Sequence, residues 1–248
     1  MLVRLNHKIH VLFRRQDLDM VKLDGKVAVV LDVLFATSTM ISALADGAAE
    51  VIPTLNEDHA RERAQTLKDG SYVLAGELFA ETIAGFAPPT PMALTAHELR
   101  GKTVVYATTN GTVALNDSAS AAHVYAGALL NARAVVEHIA RHHGDRTVLM
   151  VCSGSMGNPN LEDMYGAGYF VDLLAAELGE GHDFSDAAWA ARALYRSERA
   201  EPLLLRSRVG QMMQERGLTE EVKFAARLSV MDVVPKLIDG RLTPVATA

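Results

Sequence analysis

Short apolar segments rich in valine alternate with helical patterns as far as Cys152, and this alternation restricts the fold more than any other feature of the sequence. Residues 27–33 read Val-Ala-Val-Val-Leu-Asp-Val, a nearly continuous apolar run that is typical of a strand buried on both faces. Comparable runs occupy residues 50–55, 72–75, 103–107, 123–126 and 147–152. Because strands that alternate with helices pair in parallel through right-handed crossovers, the sequence predicts a layered α/β/α fold with a largely parallel or mixed sheet.

Capping residues mark the helices between these strands. Residues 56–68 begin with Asn56 as a candidate N-cap and carry two acidic residues in the first turn. The sequence predicts further helices over residues 38–45 and 131–143, a mostly helical C-terminal part over residues 161–226, and a short strand over residues 230–234. We expect a single α/β domain over residues 1–248, with two closely packed lobes as the alternative arrangement.

Composition excludes several classes of protein. With 24 basic and 30 acidic side chains the net charge is −6, which argues against a nucleic-acid partner because no basic tract neutralises phosphates. The single cysteine, Cys152, excludes an internal disulfide framework and a multi-cysteine zinc site. Every apolar run is shorter than the roughly 20 residues of a membrane span, and residues 1–7 lack the apolar stretch of a signal peptide. We therefore expect a cytoplasmic protein without a membrane partner.

Polar residues follow four of the predicted strands at their carboxyl ends. Asp32 follows the first of these strands, Glu77 follows residues 72–75, and Thr108-Thr-Asn-Gly-Thr112 follows residues 103–107. The last of these strands leads into a loop and then into the pair Glu162-Asp163. Ligands of parallel α/β sheets bind beyond the carboxyl ends of the strands. The sequence therefore predicts that these residues form one binding site.

The residue types at the strand ends suit a phosphoryl group held through a hard cation. Carboxylates are the ligands that Mg²⁺ prefers, and the candidates are Asp32, Glu77, Glu162 and Asp163. Hydroxyls and backbone amides at helix N-termini bind phosphate oxygens. The candidates for this role are Thr37, Ser38, Thr39, Thr109, Asn110, Gly111, Thr112, Ser153 and Gly154.

Structural roles compete with this interpretation for most of these residues. Ser38 and Thr39 also suit helix capping, and Asn110-Gly111 is a common turn pair. Asp163 also suits the first turn of a helix. For Asp32 the position favours a functional role, because a carboxylate that ends a strand of valine, alanine and leucine must be paired, capped or bound to metal.

Standard phosphate-handling motifs are absent. Cys152 lacks the cradle arginine of cysteine phosphatases, since position 158 is Asn158. Asp32-Val-Leu34 lacks the second aspartate of the haloacid-dehalogenase motif. No lysine follows Gly154-Ser-Met-Gly157, which excludes a Walker loop.

The chain resembles the 2-phosphosulfolactate phosphatase (ComB-like) family over about residues 27–235. The resemblance rests on Asp32-Val-Leu-Phe-Ala-Thr-Ser-Thr39, Gly76-Glu77, Thr108-Thr-Asn-Gly-Thr112, Cys152-Ser-Gly, Leu161-Glu-Asp163 and Ala167-Gly168. It implies a Mg²⁺-dependent phosphatase that acts on a small, doubly anionic phosphoester, with Asp32, Glu77 and Glu162 as catalytic carboxylates. The nucleophile is either metal-activated water or Asp32 itself, through an aspartyl-phosphate. We also expect a homodimer.

Two departures from the family pattern bear on the substrate. Phe35 stands where the family has arginine, the natural clamp for phosphate or sulfonate. Residues 85–91 read Gly-Phe-Ala-Pro-Pro-Thr-Pro where the family has Gly-Phe-Asp-x-Gly-Asn-Ser-Pro. These changes predict a less anionic or flatter substrate. The alternatives are a different phosphorylated or phosphonate metabolite, a non-catalytic anion-binding protein, or a Phe35 that only packs in the core. Arginines that could compensate for Phe35 are Arg192, Arg196, Arg199, Arg206 and Arg208.

Overall fold

The computed structural model describes residues 8–179 and 183–245. Within these ranges the chain forms a ten-stranded sheet and ten α-helices. The strands are β1 (Ile9–Leu12), β2 (Val27–Leu31), β3 (Glu50–Thr54), β4 (Tyr72–Leu78), β5 (Glu81–Thr82), β6 (Thr103–Ala107), β7 (His123–Gly127), β8 (Val148–Cys152), β9 (Pro235–Ile238) and β10 (Arg241–Pro244). The helices are α1 (Ala36–Ala45), α2 (Glu57–Gln65), α3 (Pro91–Thr95), α4 (Gly111–Asp117), α5 (Ala132–His143), α6 (Leu161–Leu178), α7 (Asp186–Ser197), α8 (Ala200–Arg206), α9 (Arg208–Glu215) and α10 (Thr219–Ala225).

The sheet consists of two parallel groups joined by an antiparallel hairpin. The strand order is β1-β8-β2-β7-β9-β10-β3-β6-β4-β5. Strands β1, β8, β2 and β7 run parallel, and so do β3, β6 and β4. The hairpin β9–β10 contacts β7 through the pair Tyr125–Lys236 and β3 through the pair Leu242–Val51. The α/β fold with a mixed sheet is therefore confirmed.

The sequence of β2 explains why helices cover both faces of the sheet. All five of its residues are buried. Val29 and Leu31 pack into a core with α5 and α6, while Ala28 and Val30 pack into a second core with α1 and α4. A strand that is apolar on both faces is stable only between two layers. The carboxyl end of β2, where Asp32 follows, consequently lies between helices of both layers.

Helix boundaries agree with the capping signals at α2. The Asn56 side chain accepts a hydrogen bond from the amide of His59 at 2.9 Å, as the predicted N-cap requires. The longest described helix, α6, ends at Gly179, whose φ is +85°. No helix in the described ranges is long and apolar enough to cross a membrane.

The strand predicted over residues 230–234 is wrong. This segment forms no strand. The amides of Ser229 and Met231 instead bond to the carbonyls of Leu129 and Leu130, and Val234 is fully buried. The apolar residues therefore anchor the chain beside the start of α5. The strands β9 and β10 follow instead, joined at Asp239-Gly240, where φ is +49° and +75°. Strand β1, for which no prediction was made, adds a parallel edge beside β8.

Candidate active site

A cavity of about 350 Å³ opens where β2, β4, β6 and β8 end. It is lined by six of the residues predicted to form the site: Asp32, Glu77, Thr109, Asn110, Gly154 and Glu162. Two arginines, a glutamine, a serine, an asparagine and several apolar side chains also line it. The carboxyl ends of strands from both parallel groups thus meet at one cavity, which is the location that α/β sheets use for ligands.

Asp32 sits in the turn that connects β2 to α1. The backbone amides of Phe35 and Ala36, at the start of the helix, stabilise its charged form. Gly111 packs directly against it, since a Cβ at position 111 would lie 2.4 Å from Asp32 Oδ2 and 2.4 Å from the Ala36 Cβ. Only glycine permits this approach of α4, so the predicted residue Gly111 shapes the site through its backbone.

Burial, together with charge repulsion, makes Asp32 easier to protonate. The pKa of Asp32 is raised well above its usual range, first by removal from water and then by the negative charges of Asp163 and Glu77. The amides of Ala36 and Phe35 oppose this rise in the pKa. A cation bound among these groups would relieve the repulsion.

Glu77 links two loops at the cavity edge. Its Oε1 accepts the Thr109 amide at 2.6 Å, and its Oε2 accepts the Ala80 amide at 2.5 Å and the Thr109 hydroxyl at 3.2 Å. Strand β4 approaches β6 closely because position 76 is Gly76, with φ +155° and space for no Cβ beside the Ala107 carbonyl. Both carboxylate oxygens of Glu77 therefore already have protein donors.

Glu162 lies in the first turn of α6 and is almost fully buried, yet it lines the cavity. Its Oε2 has no hydrogen-bond partner within the described part of the chain. Burial raises its pKa to about 7, while a hydrogen bond to its own amide, the Ser207 side chain and the positive charge of Arg208 lower it. The negative charge of Asp32 raises this pKa further.

Asp163 has different surroundings from its neighbour and does not line the cavity. Its Oδ1 accepts the Val33 amide at 2.9 Å, and its Oδ2 accepts the Ser153 hydroxyl at 3.1 Å and the Gly154 amide at 3.2 Å. Burial and the charge of Glu162 raise its pKa to about 7 against these hydrogen bonds. Asp163 thus joins the loops that follow β2 and β8.

Two arginine side chains from different parts of the chain line the cavity. Arg208, at the start of α9, donates from Nη2 to the Ser155 hydroxyl and to Asn160 Oδ1. Arg15 follows β1 and pairs its Nη1 with Asp117 Oδ2 at 3.1 Å. Among the compensating arginines considered from the sequence, only Arg208 lines this cavity.

Three buried polar atoms without a hydrogen-bond partner in the described residues belong to side chains that line the cavity. They are Arg15 Nε, Gln16 Oε1 and Glu162 Oε2. Leaving such an atom unpaired costs about 1–3 kcal/mol, so native structures rarely do so without a ligand or water. A donor, an acceptor and a carboxylate oxygen left open in one cavity indicate a polar ligand.

The hydroxyls predicted to contact phosphate after β2 bond to the backbone instead. Thr37 donates to the Asp32 carbonyl at 2.9 Å, Ser38 to the Val33 carbonyl at 2.5 Å, and Thr39 to the Pro89 carbonyl at 2.8 Å. Thr112 in the same way donates to the Thr108 carbonyl at 3.1 Å. These residues and Ser153 lie outside the cavity wall and hold its turns in place. Their contact with a ligand stays a prediction.

Phe35 belongs to both the core and the cavity. It is 8% exposed and packs in the core that contains β2 and α6, while one part of its surface lines the cavity.

Cys152 is fully buried, and burial raises the pKa of its thiol well above the usual range, which disfavours the nucleophilic thiolate.

Within the described residues, no three histidine, cysteine, aspartate or glutamate side chains converge closely enough to enclose a metal ion. Mg²⁺ does not require such a cage, because proteins commonly bind it through one or two carboxylates, waters and substrate phosphates. Glu162, with an open oxygen, and Asp32, which faces the cavity, fit that type of site. Asp163 and Glu77 have both oxygens bonded to protein donors and fit it less well.

Comparison with known proteins gives one consistent result. A family model described as 2-phosphosulpholactate phosphatase matches residues 13–240. A protein of Symbiobacterium thermophilum is 35% identical over 224 residues, which cover 89% of this chain and 95% of that protein. A Clostridium beijerinckii protein is 31% identical over 242 residues, which cover 95% of this chain and 99% of that protein. A Deinococcus radiodurans protein is 36% identical over 221 residues, which cover 88% of this chain and 90% of that protein. All three are named probable 2-phosphosulfolactate phosphatase.

Proposed function

The chain belongs to the 2-phosphosulfolactate phosphatase family, and from this premise we propose that it is a phosphoric monoester hydrolase acting on a small phosphorylated acid. The observation that carries the proposal is the cavity in which Asp32 and Glu162 stand beside Arg15 and Arg208. Carboxylates alone would repel a phosphate ester, and arginines alone would only bind it. Both groups together suit binding and hydrolysis.

The arginines account for substrate binding. A guanidinium binds two phosphate oxygens at once, and charge-assisted hydrogen bonds of this kind contribute about 1.5–3 kcal/mol each. Arg208 is tethered to Ser155 and Asn160, so its guanidinium is already oriented in the free protein. Arg15 Nε and Gln16 Oε1 would find their missing partners in the ester or in waters bound with it.

We assign Mg²⁺ to Asp32 and Glu162. The unpartnered Glu162 oxygen supports a cation between them, and so does the negative charge of Asp32, which adds to burial in raising the pKa of Glu162. When bound, Mg²⁺ neutralises charge on the phosphoryl oxygens and makes a bound water more acidic. In the reaction the phosphorus–oxygen bond to the substrate breaks, an oxygen from water takes its place, and the leaving alcohol oxygen gains a proton.

Phosphate release from a set of phosphorylated small acids, including 2-phosphosulfolactate, tests the proposal. We expect turnover that EDTA abolishes and Mg²⁺ restores, and a loss of orders of magnitude in Asp32→Asn without loss of folding. The variant Cys152→Ser, outside the cavity, is the matched control and should keep most activity. Full activity of the metal-free enzyme would refute the magnesium assignment. Binding of inorganic phosphate without turnover of any ester would instead identify an anion-binding protein.

A further inference from the structure

Part of the cavity wall is apolar. Phe35, Phe79, Met156, Val209 and Met212 line the cavity together with the carboxylates and arginines. Phosphate and carboxylate groups gain nothing from such a surface, because burying a charge against apolar groups costs free energy. The apolar side chains therefore account for a part of the ligand other than its anionic groups.

Two of these side chains stand at the mouth of the cavity and are open to water. Phe79 is 71% exposed and Met156 is 82% exposed, although both are large and apolar. They come from different loops, one after β4 and the other after β8, and they border the same cavity. Scattered exposed apolar residues are ordinary, but two that converge on a ligand cavity indicate a contact surface.

The backbone at both positions is strained. Phe79 has φ +52° and Met156 has φ +50°, in the left-handed region that side chains other than glycine, asparagine and aspartate rarely adopt. Ala80, next to Phe79, has φ +61°. Such strain persists where the surrounding structure enforces it, and it clusters at functional sites.

Hydrogen bonds hold both loops in this strained form. The Phe79 amide donates to the Thr109 hydroxyl at 3.3 Å, and the Ala80 amide donates to Glu77. In the second loop the Met156 carbonyl accepts from Asn158 Nδ2 at 3.1 Å. The two apolar side chains are thus positioned by their backbones before any ligand arrives.

We propose that the substrate carries an apolar substituent next to its phosphate ester, and that Phe79 and Met156 cover this substituent. The inference rests on the proposed phosphatase function and specifies its substrate class. The phosphate binds at the carboxylates and arginines, and the substituent contacts the apolar side chains. Both groups of residues line the same cavity, so a single small molecule can contact both.

A matched pair of esters tests the inference: 2-phospholactate and 2-phospho-3-phenyllactate, which differ only by a phenyl group. We expect kcat/KM to favour the phenyl ester by at least about tenfold, since burial of an aromatic group corresponds to about a tenfold to hundredfold gain. The variants Phe79→Ala and Met156→Ala should each reduce this preference severalfold. Ile238→Ala is the control, because Ile238 is also exposed and apolar but lies outside the cavity wall.

Calorimetric titration with both esters separates the two hypotheses. Absence of turnover with tighter binding of the phenyl ester would refute the phosphatase function and support the apolar contact. Turnover of both esters at equal kcat/KM would refute the apolar contact and leave the phosphatase function intact. Light scattering measures the oligomeric state of the wild type and of Phe79→Asp. If the wild type is a dimer that this variant dissociates, and the ester preference is unchanged, Phe79 and Met156 contact a second copy of the chain and the proposal is overturned.

Discussion

Asp163 accepts the backbone amide of Val33 through Oδ1 at 2.9 Å, across a separation of 130 residues in the chain. Its other oxygen accepts donors from Ser153 and Gly154. One buried carboxylate therefore fixes the turn that contains Asp32 to the loop that follows β8. The arrangement makes the position of Asp32 depend on a side chain that does not itself line the cavity.

The first prediction concerns this connection. In Asp163→Asn one oxygen acceptor is replaced by an NH₂ group, which faces donors at either Val33 or Ser153 and Gly154. We expect the free energy of unfolding to fall by about 1–3 kcal/mol, the cost of unpaired buried donors. We also expect kcat to fall more than KM rises, because the arginines that bind phosphate are unchanged. Chemical denaturation and steady-state kinetics measure the two effects, and a variant with wild-type values in both would contradict the assignment.

The second prediction concerns the contact between Gly111 and Asp32. A methyl group at position 111 would lie 2.4 Å from Asp32 Oδ2, so Gly111→Ala must displace the carboxylate or the helix α4. Overpacking of this kind costs about 1–3 kcal/mol of stability. We expect kcat to fall by at least about tenfold in a protein that remains folded. Val113→Ala, in the same helix but outside the cavity wall, should keep most activity. Unchanged kcat in Gly111→Ala would show that the position of Asp32 is not critical.

The layered α/β architecture could be predicted because the apolar residues of β2 alternate between two cores, which only a sandwiched strand allows. The order of the strands could not be predicted. The meeting of Asp32, Glu77 and Glu162 followed from the rule for strand ends. Arg15 and Gln16 escaped prediction because β1 is four residues long and was not recognised, although they follow its carboxyl end as the same rule requires. The hairpin β9–β10 was not predicted, although the sequence contains a turn signal for it. The pair Asp239-Gly240 suits a turn with two positive φ angles.

The roles of the threonines and Ser38 could not be read from residue type. A hydroxyl near a helix N-terminus suits a phosphate or a nearby carbonyl equally well, and only the folded backbone decides which is within reach. Thr37 donates to the Asp32 carbonyl and accepts from the Asp32 amide, so its only donor is already used inside the turn. Whether Phe35 packs in the core or faces the ligand could not be decided from residue type either, because an apolar ring suits both positions.

The third prediction concerns a cluster of histidines away from the cavity. The His143 ring stacks on His123 at 4.0 Å between centroids, and the Tyr125 hydroxyl contacts His143 Nε2 at 2.8 Å and His138 Nε2 at 3.0 Å. The pKa of His143 is lowered to about 4, first by burial and then by its charged neighbours. These neighbours are His123, His138, Lys236 and Arg146.

The sign of the pH effect follows from proton binding. Between pH 6.5, the ordinary pKa of histidine, and about pH 4 the unfolded chain carries a proton on His143 that the folded protein lacks. The free energy of unfolding therefore decreases as the pH falls through this interval, by up to about 3 kcal/mol from this residue. In His143→Gln, which keeps an acceptor for Tyr125, the decrease should be smaller. Urea denaturation between pH 7 and pH 4 checks this, with exposed His97→Gln as the control. Parallel curves for wild type and His143→Gln would contradict it.

The last prediction concerns Phe35, which stands where the resemblance to the family implies an arginine. Phe35 lines the cavity, and its own backbone amide stabilises the charged form of Asp32. The guanidinium of an arginine at this position would therefore reach the phosphate or a second anionic group. A charge-assisted hydrogen bond contributes about 1.5–3 kcal/mol, which corresponds to about a tenfold to hundredfold change in binding. We expect weak activity of the natural protein on 2-phosphosulfolactate and a rise of this size in kcat/KM for Phe35→Arg. Phe35→Leu controls for the loss of the ring, and thermal unfolding shows whether the charged variant keeps its fold. Efficient hydrolysis by the natural protein, with no gain in Phe35→Arg, would mean that Phe35 only packs in the core and that Arg15 and Arg208 suffice for the anionic substrate.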